Sequence, residues 1–240
     1  MASRGSTLPT TFEDDGLSSG GLSRPTSAQQ VADYIRRMIF ANRLRAGERV
    51  PQDEIAAELR VSRVPVREAV IALDREGWVM IEPHRGAFVV GLDEQSTRDH
   101  YELLGRIYGL AAQRAAQRGS DEGIAALVTF SKLLLDATDP HEFSKLNLEF
   151  LRRMVALGGS RRMSTAMRQL AHSIVPGDFF AEVPGAMAVH KRGMRAVVKA
   201  LKARDGEQAD VELSALLRRE ADKVVVMLEA TGAFGEREAD

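Results

Sequence analysis

No cysteine occurs among the 240 residues, which excludes disulfide frameworks, thiolate metal sites and thiol nucleophiles. Aromatic residues make up only 5%, with a single tryptophan. No apolar run approaches the ~20 residues of a membrane span, and the first residues lack the charged-then-apolar order of a signal peptide. Set beside an apolar content of 44%, these absences predict a globular protein in a reducing, cytoplasmic setting, away from membranes. The formal net charge is −1, so any contact with nucleic acid has to come from local arrangement rather than from general basicity. Residues 27–90 also lack lysine: their positive charge is ten arginines, set against nine acidic residues. Guanidinium groups grip guanine edges or phosphates with two parallel hydrogen bonds.

What is present centres on VSRVPVREAVIALDREGW, residues 61–78. Ser62 is placed to cap a helix by offering its hydroxyl to the first-turn amides, and Pro65 falls in that turn, where a missing N–H is harmless. Val66, Ala69, Val70 and Leu73 recur at helical spacing and predict a buried stripe, leaving Arg63, Val64 and Arg67 to face solvent or a partner. Exposed arginines on an amphipathic helix are usually just solvated; the flanking elements decide otherwise here. PQDEIAAEL (51–59) predicts a shorter helix with Ile55, Ala56 and Leu59 inward, joined through a tight turn at Arg60-Val61, and WVMIEPHRGAFVV (78–90) reads as strand, turn, strand. Helix, turn, helix and a two-stranded wing in this order predict a winged helix-turn-helix. Its first helix starts at a Thr26/Gln29 capping box and turns Val31, Tyr34, Ile35, Met38 and Ile39 to one face. RAGERV (45–50) turns the chain into the second helix. The wing tip is Pro83-His84-Arg85-Gly86, with His84 and Arg85 reaching toward a minor groove or phosphate backbone. The predicted DNA-contacting set is Ser62, Arg63, Val64, Arg67, His84, Arg85 and Gly86. Residues 1–25, rich in Ser, Thr, Gly and Pro, are expected to form a disordered arm.

YIRRMIFANRLRAGERV, DEIAAELRVSRVPVREAVIALDREGWV and HRGAFVV closely resemble the DNA-binding domain of the GntR family of bacterial transcription regulators. The resemblance spans about residues 27–90 and implies a dimer on a short palindromic operator, with Arg63 and Arg67 on bases and phosphates and Arg85 with Gly86 as the wing contact. Two positions depart from the family pattern: Val64 stands where Thr is usual, and Arg60 where Gly is usual.

After a polar connection at 91–97, every segment predicts helix: roughly 95–118, 121–137, 140–158, 160–175, 185–204 and 206–231, broken by Gly119, Asp139-Pro140, Gly158-Gly159, Pro176-Gly177, Pro184-Gly185 and Gly206. The expectation is a mostly α protein, with an all-α bundle at about 95–235 for effector binding and dimerisation. This half resembles the FadR-subgroup effector domain, often called FCD, many members of which hold a metal through an Asp-x-x-x-His pair and two later histidines. The matching positions carry Asn147, Leu151, Met194 and Leu216 instead, so no metal and no cofactor is expected. Leu151, Met194 and Leu216 are then either ordinary core or the lining of an apolar cavity. Tyr101, Arg106, Tyr108, Asn147, His172 and His190 are the polar groups available to anchor a ligand head, and Arg106 matches an arginine frequent on the first effector helix. The predicted effector set is Tyr101, Arg106, Asn147, Leu151, His190, Met194 and Leu216. Ser160, Ser164 and His172 lie close in sequence, yet no nucleophile turn, phosphate loop or paired carboxylates accompany them, and no catalysis is expected. The resulting expectation is a homodimeric repressor that leaves a palindromic operator on binding a small hydrophobic effector such as a fatty acid or acyl-CoA. A metal-dependent sensor of a small carboxylate, an uncharged polar effector and an architectural DNA binder without effector are the alternatives.

Overall fold

The computed structural model describes residues 26–170 and 179–234; the expected arm at 1–25, His172 and the residues after 234 lie outside the described residues. Helix α1 (Ser27–Phe40) begins at the predicted capping box: the Gln29 amide donates to Thr26 Oγ1 and the Thr26 amide to Gln29 Oε1. Its apolar stripe packs on α3 (Arg63–Arg75), as does α2 (Gln52–Glu58), and Val31, Ile35, Ile39, Ile55, Val66 and Leu73 form one core with Trp78. The buried Arg36 fastens the end of α3 to α1 through a 2.5 Å ion pair with Glu76.

Strands β1 (Val79–Glu82) and β2 (Gly86–Val89) pair antiparallel, with Val79 opposite Val89 and Glu82 opposite Gly86. The wing gains a third strand-like segment that the sequence pattern did not announce. Val50 N–H donates to Ala87 O and Val89 N–H to Glu48 O, which places Arg49 opposite Phe88. This segment reads as a turn because its alternation, Glu48-Arg49-Val50, is too short to show a period.

The second half is helical: α4 (Glu94–Arg118), α5 (Asp121–Asp136), α6 (Pro140–Gly158), α7 (Arg161–Leu170), α8 (Phe179–Glu182), α9 (Ala186–Lys202) and α10 (Gly206–Thr231). The predicted breaks hold at Gly119, Asp139-Pro140 and Gly206, where Ser120, Asp139 and Asp205 side chains accept from amides of the new helix. The single turn α8 is an addition, too short to carry a periodic signal. The two longest helices, α4 and α10, run antiparallel in close contact. A Cβ on Gly105 would lie 3.4 Å from Ser214 Cα, and one on Gly109 would collide with the Asp210 carboxylate and Ser214 Oγ. The Ser214 hydroxyl donates across this seam to Gly105 O at 3.0 Å.

The end of α10 meets the winged half. Asn42 Nδ2 donates to Gly232 O at 2.9 Å, and Phe40, Leu92 and Phe234 pack on a cluster containing Tyr101, Val224 and Leu228. In the α2–α3 turn, Arg60 adopts φ 52°, the left-handed region that glycine occupies without a Cβ penalty and other residues occupy at a cost. Arg60→Gly is therefore expected to stabilise the winged half by about 1 kcal/mol, read as a higher urea midpoint with an unchanged slope.

Candidate nucleic-acid interface and effector site

The start of α3 and the wing present one polar surface. Ser62 stands at the N-cap with extended backbone, but contrary to expectation its side chain makes no capping bond. The amides of the exposed Arg63 and Val64 thus lack a side-chain cap, and uncapped amides at a helix start suit an anion. Arg63 and Arg67 are both exposed, and so is Val64, at 64%. A valine at this place has the apolar surface that suits a thymine methyl. The Arg63 Nε lies 2.9 Å from the equally exposed Asp53 carboxylate, whereas Arg67 makes no ion pair among the described residues. Below them runs an open groove of about 660 Å³, lined by Arg49, Gln52, Asp53, Arg63 and Arg67.

In the wing, Arg85 N–H donates to Glu82 O at 3.1 Å, closing a turn centred on Pro83 and a left-handed His84 at φ 63°. The Arg85 guanidinium pairs with Glu82 and lies 5.3 Å over the Phe88 ring. His84, Arg85 and Gly86 thus sit together at the tip, beside the groove that leads to α3.

In the helical half the structure separates the predicted effector residues. Met194 and Leu216 are fully buried in the bundle core, where Leu216 closes on Gly193 so tightly that a Cβ there would lie 2.7 Å from Leu216 Cδ1. Both belong to the apolar core against which the partly buried Leu151 also packs. Leu151 further borders an open, largely apolar groove of about 320 Å³ with Tyr108, Leu148, Val155 and Met167. Burial raises the Tyr108 pKa above the ordinary tyrosine value. Arg106 points outward, 70% exposed and bridged to Glu102 at 3.3 Å, so it does not join the others. Tyr101 is buried in the cluster at the junction with the winged half, its ring 6.4 Å from Phe179.

Asn147 and His190 do come together, with a third residue that the sequence reading missed. The buried His190 ring donates from Nδ1 to Glu220 Oε1 at 2.5 Å, and its Nε2 meets Asn147 Oδ1 at 2.8 Å. The ring's tautomer and the orientation of the Asn147 amide set which partner donates at Nε2. Phe180 and Phe143 close on the imidazole edge-to-face at 4.9 and 5.5 Å. One helical turn separates His190 from Met194, Glu220 from Leu216 and Asn147 from Leu151. Of the four expected ligand positions, Asn147 therefore lies in the polar layer, and Leu151, Met194 and Leu216 stand one helical turn away from its members. Glu220 is legible after the fact as the one carboxylate in the stripe Leu213, Leu216, Leu217, Val224.

This donor set does not fit the metal box that the resemblance implies. Leu151, Met194 and Leu216 offer no suitable lone pair, both His190 nitrogens are spent inside the polar layer, and the described residues contain no group of three His, Cys, Asp or Glu able to hold an ion. Removing one partner of a buried pair strands the other's charge. Glu220→Ala is accordingly expected to lower stability by about 3 kcal/mol or more in urea unfolding, while His190→Leu with Glu220→Leu, which removes both partners, recovers most of that loss.

Comparison with known proteins agrees with both halves. Residues 27–89 match the family described as bacterial regulatory proteins, gntR family, and residues 99–219 match the FCD domain. An uncharacterised HTH-type transcriptional regulator of Mycobacterium tuberculosis is 30% identical over 221 residues, spanning 86% of this chain and 88% of its own length. A probable D-xylose utilization operon transcriptional repressor of Paenarthrobacter nicotinovorans is 31% identical over 215 residues, spanning 80% and 86%. The solved Escherichia coli protein McbR/YncC shares the fold, with a TM-score of 0.57 at 19% identity, over 85% of this chain and 98% of its own. No helix among the described residues is long and apolar enough to cross a membrane. With a gntR-type winged helix-turn-helix at its start and an FCD domain after it, the chain belongs to the GntR family of transcriptional regulators.

Proposed function

We propose that this regulator is a cytoplasmic, homodimeric repressor that reads a two-fold-symmetric operator with α3 and the wing and leaves it on binding a small effector in its helical domain at about 95–235. The winged domain at 27–90 supplies the DNA contacts. The observation that carries this reading is the exposed face of α3, where Arg63, Val64 and Arg67 project beside the wing with no apolar partner to cover them. Arg63 serves as the specificity residue, since Asp53 steadies its guanidinium at the groove mouth; Arg67 and Ser62 take phosphates, and Arg85, His84 and Gly86 contact the groove beneath the wing. A symmetric dimer presents two such helices, hence an operator of two related half-sites. Repression is the role for which the Paenarthrobacter relative is named.

For the effector, the apolar groove lined by Tyr108 and Leu151 supports a hydrophobic molecule such as a fatty acid or its CoA ester. Arg152 and Arg153 stand at its rim, both paired with Glu149 and the latter stacked on Phe130. The polar layer favours a second reading, an uncharged polar metabolite that competes with Asn147 for His190 Nε2. The aromatic run from His190 through Phe180 and Phe179 to Tyr101 leads from that layer to the junction with the winged half, a physical route by which either ligand would loosen DNA.

Arg63→Ala is expected to cost ~1–3 kcal/mol in operator binding and to relax sequence preference, and Arg67→Ala to weaken all sequences alike; wild-type affinity in both would remove α3 as the reader. A ligand that binds only the native state raises the melting temperature. A long-chain fatty acid is expected to do so and to release DNA, with Leu151→Glu abolishing both effects. A shift that survives Leu151→Glu but is lost in Asn147→Ala would favour the polar metabolite, and no release by any ligand would leave an architectural DNA binder.

A further inference from the structure

The wing holds an arginine for which the sequence pattern supplied no role. Arg49 lies opposite Phe88 on the third, strand-like segment, and its neighbour Val50 turns into the core. It is exposed and makes no ion pair among the described residues. Arg63 and Arg85, by contrast, are each held by a carboxylate. The Arg49 guanidinium lies across Gly86: an ideal Cβ there would be 2.7 Å from Nε and 3.1 Å from Nη2. Arg49 also lines the groove that holds Arg63 and Arg67.

From this placement we infer that Arg49 is a further DNA-contacting residue, one that binds the phosphate backbone running between the groove read by α3 and the groove beneath the wing. The inference rests on α3 being the reader. Three features specify phosphate rather than base. Arg49 sits between wing tip and recognition helix, where a sugar-phosphate strand separates two grooves. Its side chain lies flat on the wing instead of projecting into a groove that α3 already fills. Its charge is uncompensated by a carboxylate, so a phosphate need not displace an existing partner. The same geometry gives Gly86 a second function beyond its backbone at φ 113°. Without a Cβ it forms the seat on which the Arg49 guanidinium rests.

The test is fluorescence anisotropy with a mixed-sequence duplex and with a selected operator, over a range of salt, on the full-length protein. Arg49→Ala is expected to weaken binding to both duplexes by the same factor and to lower the slope of log K against log salt by about 1.8, the share of two phosphates, one for each protomer of the dimer. Arg49→Lys should keep most of the slope. An unchanged salt slope in an Arg49→Ala protein that melts as wild type overturns the inference. If Arg63→Ala and Arg67→Ala lose affinity in that case, the reader helix stands and Arg49 alone fails; if they too bind as wild type, both readings fall.

Discussion

The close approach of α4 and α10 is the constraint on which the rest of the helical half depends. Small residues at Gly105, Gly109 and Ser214 bring the two backbones together, and side chains of ordinary size at the first two positions would force them apart. That spacing fixes where α10 presents Glu220 to α9 and so where the His190 layer forms. It also carries the far end of α10 to the turn after α1, where Gly232 and Phe234 meet Asn42 and Leu92. One packing decision thus sets both the internal chemistry of the helical domain and its attachment to the winged domain.

The polar layer has its own logic. A buried imidazole and a buried carboxylate are expensive singly and tolerable together when each remaining hydrogen-bonding group is satisfied. Glu220 and Asn147 do this from opposite sides of the ring, and Phe143 and Phe180 exclude water from its edges. Where many FCD domains are expected to spend several ligands on a cation, this one spends hydrogen bonds.

On the DNA side the pattern is a division among arginines. Arg63 and Arg85 are oriented by Asp53 and Glu82, whereas Arg49 and Arg67 have no carboxylate partner among the described residues. Orientation suits a residue that has to match a base edge, and an open charge suits one that neutralises a phosphate. The net charge of −1 is compatible with this because the arrangement is local, confined to one end of the winged half.

Sequence by itself determined the three helices and the two-stranded hairpin of the winged half and their order, though not the strand-like segment at Glu48-Arg49-Val50. A buried stripe at Val66, Ala69, Val70 and Leu73, a capping box at Thr26 and a Pro/Gly turn in the wing are local signals, readable because each depends on residues a few positions apart. It likewise determined the helix breaks at Gly119, Asp139-Pro140 and Gly206. Tertiary structure alone decided what depends on distant residues meeting. The pairing of His190 with Glu220 spans 30 positions and that with Asn147 spans 43, and helical periodicity cannot say which turns of three helices share a level. It decided that Arg106 faces out, that Met194 and Leu216 are core, and that Arg49 lies on Gly86, since each of these follows from neighbours brought by another element. Ser62 marks the boundary between the two: its position at the start of α3 is local and legible, but the use of its hydroxyl is set by a rotamer and by what approaches the helix end.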